Sequence, residues 1–363
     1  MKNWSNLILA YSLKNALEHD GKSEEGKVIA GLFHEGLKKE EVSSVINEVK
    51  EIVKKINSLK IDEQKREYDK LGKLTGKREE RQGLQELPNL SKKMVFRLAP
   101  FPSGALHIGN AKTYLLNALY AEKYKGKLLL VIDDTIGSKE KQIVKEAYNL
   151  IPEAFDWLKV EYSKPIVYKS SRLKIYYKYA EQLIEKNKAY VCDCSQKKLH
   201  ENREKGIECS CRQYPAKEQM KRWKKMFHSK PQTYTLRLKT DMRDRNPAFR
   251  DRVLFRISDL EHPRVGKKYK VWPTLEMTWA IDDHLLGITH IIRGKDLMIE
   301  TEMEKFIWDI FSWKHPETIH AGMIRMEGVE AKISKSKAQQ EVKSGKFIGW
   351  DDPRTWSVQS LKR

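Results

Sequence analysis

At 363 residues the chain has length for two or three domains and a sizeable buried core. Its 70 Lys and Arg against 50 Asp and Glu leave a formal charge of +20, which suits a polyanionic partner whose phosphates shed counterions to basic side chains. Met1 begins no signal peptide and no apolar run approaches the roughly 20 residues that span a bilayer. The expected setting is the cytosol, where the four cysteines are not structural disulfides.

Residues 1–88 read as a separate helical region. Val42, Val45, Ile46, Val49, Ile52, Val53 and Ile56 recur at helical spacing, and residues 60–86 form a charge-rich solvated helix or linker. Pro88 and the run Asn89 to Lys93 mark a boundary. Beyond it, Met94 to Leu98 predicts a short apolar strand. A turn rich in Pro and Gly follows, then a helix from about Leu106 to Lys123. A strand-to-helix turn of this kind offers backbone N–H groups and a positive helix end to a phosphate. The near-continuous apolar run Lys127 to Ile132 predicts a strand buried on both faces, ending in Asp133-Asp134-Thr135 at the carboxyl end, where α/β sheets bind ligands. Helices are expected over 138–158 and 170–188.

All four cysteines then fall within one window, as Cys192-Asp193-Cys194 and Cys209-Ser210-Cys211. Four thiolates on two short knuckles suit a closed tetrahedral zinc site of structural kind; a reduced, metal-free cluster is the alternative. Around them stand many Lys and Arg interleaved with Tyr214, Trp223 and Phe227, a mixture able to contact phosphates and stack unpaired bases. Each aromatic taken singly reads as local core. Strands are expected at 233–238 and 253–257. The nucleotide-binding fold is expected to resume at Lys270, with a buried strand over Ile288 to Ile292 and Arg293 at its carboxyl end. A guanidinium there can hold a carboxylate bidentately.

Two short motifs carry a resemblance. His107-Ile108-Gly109-Asn110 resembles the HIGH motif of class I aminoacyl-tRNA synthetases, and Lys332-Ile333-Ser334-Lys335-Ser336 resembles their KMSKS motif. Arg97-Leu98-Ala99-Pro100-Phe101-Pro102-Ser103-Gly104 is similar to the glutamyl/glutaminyl subgroup, and the run from Trp279 to Asp296 to the archaeal-type glutamyl enzymes. The fold this implies is α/β: a Rossmann-like class I synthetase fold with an inserted acceptor-stem domain and an N-terminal helical region. The boundaries would be 1–88 helical, 94–190 first Rossmann half, 191–270 zinc-containing insert, 271–325 second half, and 326–363 the KMSKS loop with the start of a helical connector.

By the same resemblance the chain would join glutamate to ATP, with Mg2+, and then to the acceptor end of tRNA-Glu. His107, Lys332 and Lys335 would act in catalysis, and Gly109, Asn110 and Ser334 would join them on ATP. Arg97, Ala99, Ser103, Asp133 and Arg293 would hold glutamate. Cys192, Cys194, Cys209 and Cys211 would hold Zn2+. The family pattern at the second strand departs here, with Val131 for an Arg and Ile136 for an Asp, and Leu275 stands where relatives often carry a Tyr. Arg293 favours glutamate over glutamine. Relatives continue into an anticodon-binding barrel, so the sequence reads as a truncated piece or as one partner of a separate chain supplying that barrel. Two other readings stay open: a short paralogue that glutamylates a modified tRNA base, and a catalytically silent tRNA-binding protein.

Overall fold

The computed structural model describes residues 4–71, 83–135, 142–322, 324 and 335–362, without the side chains of residues 335–337. It divides into two compact units, residues 1–85 and 86–363.

The first unit is a helical assembly of α1 (Trp4–Glu18), α2 (Glu25–His34), α3 (Val42–Asn57) and α4 (Ile61–Lys70). The stripe read from the sequence is the one that packs: Val45, Val49, Val53 and Ile56 of α3 are buried, against Ile8 and Leu13 of α1 and Val28 and Leu32 of α2. Burying each such side chain contributes roughly 1.5–3 kcal/mol. Gln64 is buried where α4 meets the preceding loop, and its amide donates to the carbonyls of Gly21, Ile56 and Leu59. Those bonds satisfy backbone acceptors that α4 would otherwise bury.

In the second unit, β1 (Val95–Leu98), α5 (Ile108–Lys123) and β2 (Lys127–Ile132) form a parallel strand–helix–strand unit. Five of the six β2 residues are buried, as expected of a strand covered on both faces. Next come α6 (Ala147–Trp157) and β3 (Ser163–Tyr168), the latter parallel to β2. The expected helix from Ser138 thus starts later: residues 142–146 are not helical, and 138–141 lie outside the described residues. The strand β3 had no counterpart in the sequence reading. A 3-10 turn at Lys169–Ser171 leads into α7 (Leu173–Glu185).

The chain then builds an antiparallel sheet. Its elements in order are β4 (Ala189–Cys192), α8 (Gln196–Lys205), α9 (Ala216–Met226), β5 (Thr235–Leu238), β6 (Val253–Ile257) and β7 (Val271–Pro273). The strand order is β4-β5-β6-β7. Residues 271–273 therefore pair with the preceding strand, Trp272 opposite Arg256, rather than with the parallel strands expected to resume at Lys270.

Helix α10 (Leu275–Leu285) returns to the parallel layer with β8 (His290–Gly294), α11 (Met298–Ile310) and β9 (Glu317–Ala321). The Thr289 N–H donates to the Val95 carbonyl at 2.9 Å, setting β8 beside β1. Asn117 of α5 donates to the Ile292 carbonyl at 2.9 Å. The strand starts at His290, so Arg293 lies within it rather than just past its end. Helices α12 (Lys335–Lys343) and α13 (Val358–Leu361) close the described chain. None of the described helices is long and apolar enough to cross a membrane.

Candidate active site and metal centre

The turn after β1 is fixed from two sides. His107 caps α5: its Nδ1 accepts the Gly109 N–H at 2.9 Å, satisfying one of the orphan donors of the first turn. The segment before α13 locks onto the same turn. Ile108 donates its N–H to the Trp356 carbonyl at 3.0 Å, and Val358 donates to the Leu106 carbonyl at 2.7 Å. Gly104 sits at φ +134, and a Cβ built there would lie 2.1 Å from the Trp350 ring. Only glycine fits both constraints. Thus the turn that carries His107 and the segment from Trp350 to Val358, far apart in sequence, meet on one seam. Asn110 is exposed on the first turn of α5. Lys332 and Ser334 lie outside the described residues. Lys335 begins α12, and its side chain is not described.

Three buried ion pairs gather where β1, β2 and β8 end. Arg97 engages Asp283 through Nε and Nη2, the latter at 2.9 Å. Asp133, directly after β2, faces the fully buried Lys169 ammonium at 3.1 Å, and Lys169 also donates to Thr278 Oγ1 at 2.9 Å. Arg293 holds Glu304 in a two-bond fork, one arm at 3.0 Å. The buried Trp279 ring ties the three together, with Arg97, Lys169 and Arg293 at 4.6, 5.0 and 4.8 Å from it. Burial pushes the Lys169 ammonium below the usual lysine range and the Glu304 carboxyl above the usual carboxylate range.

The Arg293–Glu304 pair and the turn after β1 keep capacity for a ligand. Arg293 Nε is buried without a hydrogen-bond partner, as is the Ser103 hydroxyl in the turn after β1. Ala99 stands half-buried at the start of that turn. Two guanidiniums and one carboxylate in a desolvated setting can hold a small molecule carrying two carboxylates and one ammonium.

The sequence reading did not foresee Lys169, Trp279, Asp283 and Glu304 as the partners of the named residues. The Asp282-Asp283-His284 trio separates into three roles. Asp282 accepts from Arg172 and Tyr176, at 2.9 and 2.6 Å, and Asp283 serves Arg97. His284 stacks on Trp313 with ring centroids 3.9 Å apart. Among the aromatics near the knuckle, Trp223 is local core, as read singly: it is fully buried among Tyr177, Phe227 and Phe255. Tyr214 is exposed, with the Arg222 guanidinium 4.7 Å from its ring.

Cys192, at the end of β4, meets Cys194, Cys209 and Cys211 so that all four sulfurs lie within 4.8 Å of one another. Cys192 and Cys209 are 3.7 Å apart, Cys194 and Cys211 3.9 Å. These spacings are far beyond a disulfide bond of about 2.05 Å. They match the roughly 3.8 Å edge of a tetrahedron with zinc–sulfur bonds of about 2.3 Å. The residues present therefore fit a zinc ion.

Residues 93–363 match the family described as tRNA synthetases class I (E and Q), catalytic domain. A glutamate–tRNA ligase of Pyrococcus abyssi is 42% identical over 370 residues, covering 98% of this chain. One of Methanothermobacter marburgensis is 39% identical over 360 residues, again covering 98%. The chain spans 64% of the length of each of these relatives. The crystal structure of a glutamate tRNA ligase from Elizabethkingia meningosepticum, in complex with its amino acid, shares the fold. It superposes with a TM-score of 0.50 at 22% identity, over 69% of this chain and 53% of that one.

Proposed function

Because the chain belongs to the catalytic-domain family of class I glutamyl- and glutaminyl-tRNA synthetases, we propose that it activates glutamate with ATP and transfers it to tRNA-Glu. The observation that carries the choice of glutamate is the gathering of Arg97, Arg293 and, through Lys169, Asp133 around Trp279. In this reading Arg293 takes the γ-carboxylate through the fork edge that Glu304 leaves open, and Arg97 lies on the α-carboxylate side. Asp133 takes the ammonium. Ala99 and Ser103 line the backbone side, with the Ser103 hydroxyl as a donor.

Little covalent work falls to the protein in forming an adenylate. The substrate carboxylate must be aligned with the α-phosphorus, and charge building on the leaving pyrophosphate must be neutralised. His107, Gly109 and Asn110, at the start of α5, would bind the nucleotide. Lys332, Ser334 and Lys335 would meet the triphosphate, and magnesium would enter with ATP, held by phosphate oxygens. Burial of the ion pairs excludes water from the site and strengthens each contact with charge that develops there.

Zinc, bound by Cys192, Cys194, Cys209 and Cys211, would supply folding energy to the strands around β4 and no reaction step. The division into a helical region, two Rossmann halves and an inserted acceptor-stem domain belongs to the same proposal. The insert's sheet is taken to run on through Pro273, since β7 pairs with β6. The net charge of +20 supports the tRNA partner.

The test is to offer radiolabelled glutamate and ATP with an unmodified tRNA-Glu transcript. An alkali-labile glutamyl ester at the 3′ end is the expected product. Labelling only of tRNA bearing a modified base would favour the base-glutamylating alternative, and no labelling by a protein that still binds tRNA would favour the silent one.

A further inference from the structure

One fully buried cation in the second unit has no carboxylate of its own. Arg237, on β5, is 1% exposed. Its Nε donates to the Asp251 carbonyl at 2.8 Å, Nη1 lies 4.0 Å from Cys192 Sγ, and Nη2 is buried without a partner. The nearby Asp251 carboxylate is already committed to Arg212, the Tyr190 hydroxyl and the Thr240 N–H. A guanidinium buried this deeply needs a countercharge. Four thiolates around a divalent ion carry two net negative charges, and Arg237 reaches one of the four, Cys192. On another side of the cluster, Arg222 Nη2 stands 4.0 Å from Cys211 Sγ and 2.8 Å from Asp193 Oδ2.

We infer that Arg237, assisted by Arg222, is the charge-balancing and positioning residue of the four-cysteine metal site. The inference rests on the zinc reading above. Arg237 reaches Cys192 because β5 pairs antiparallel with β4, setting Arg237 opposite Tyr190 and Thr235 opposite Cys192. A cation fixed there lowers the free energy of the metal-loaded tetrathiolate, whose net negative charge it balances. The partners beyond the ligand sulfurs thus tune metal affinity.

The experiment measures zinc affinity by competition with a chromophoric chelator, on the full chain and on Arg237→Met, Arg237→Lys and Arg252→Met. Arg252→Met is the control: it removes an ion-paired arginine, held by Glu276 and Glu300, from the same unit. Wild-type protein is expected to bind one zinc per chain. Arg237→Met should bind at least tenfold more weakly while its cobalt-substituted form keeps a four-sulfur charge-transfer spectrum. Arg237→Lys should recover part of the loss, and Arg252→Met should stay within twofold of wild type. Should Arg237→Met not fold, a loss beyond twofold in Arg237→Lys against an unchanged Arg252→Met carries the same test. Equal affinity in wild type and both Arg237 variants overturns the role assigned to Arg237. Wild type without zinc overturns the metal reading itself.

Discussion

Arg293 and Glu304 clasp one another through two hydrogen bonds, and both side chains are buried. In the proposed function a substrate γ-carboxylate would meet a guanidinium whose charge is already shared, with Nε as the edge not yet engaged. Glu304 fixes the orientation of that edge.

Two effects of Arg293→Gln follow, and they can be separated. Loss of the substrate's partner should lower glutamate activation by about 2–5 kcal/mol if the contact is desolvated. Leaving Glu304 buried without its cation should also destabilise the fold by about 3–5 kcal/mol. The double variant Arg293→Gln with Glu304→Gln should regain most of the stability and none of the activation. Denaturant unfolding and glutamate-dependent kinetics on the three proteins check this; wild-type activation in Arg293→Gln would remove Arg293 from the glutamate site.

Gly104→Ala tests the seam between the turn after β1 and the segment that includes Trp350. The added methyl meets the indole 2.1 Å away at a φ that L-residues rarely adopt. Strain of about 1–3 kcal/mol is expected, seen as a lower denaturation midpoint and a higher KM for ATP. Adding Trp350→Ala should recover the steric part and not the backbone part. Additive losses in the double variant would mean that the contact does not govern this turn.

Protein purified without chelator should carry one zinc per chain by elemental analysis, because two sulfur pairs already stand at tetrahedral spacing and all four sulfurs lie within 4.8 Å of one another. Stripping the metal should lower the melting temperature and raise hydrogen exchange in β4 and β5, since structural zinc contributes folding energy directly. Four titratable thiols with no metal in the native protein would contradict this.

Much of the core layer was legible in the sequence because its signals are local. The run Lys127 to Ile132 needs no distant partner to read as a buried strand, and the cysteine pairs declare themselves by proximity along the chain. The strand β3 escaped because Ser163–Tyr168 is short, half-exposed and interrupted by Pro165. The ion-pair partners escaped for a different reason. Asp283 is 186 residues from Arg97, and nothing in local spacing distinguishes it from Asp282 beside it. The pairing of residues 271–273 escaped because three residues of apolar strand look alike whether they pair parallel or antiparallel.

In the proposed function the charges gathered around Trp279 select glutamate for activation by ATP. The most direct measurement is pyrophosphate exchange into ATP by the full chain, run with L-glutamate or L-glutamine, with and without unmodified tRNA-Glu. Exchange that depends on glutamate, exceeds that with glutamine by at least tenfold and falls in Arg293→Gln is the expected result. A folded, ATP-binding protein that supports no exchange, or that prefers glutamine, would contradict it.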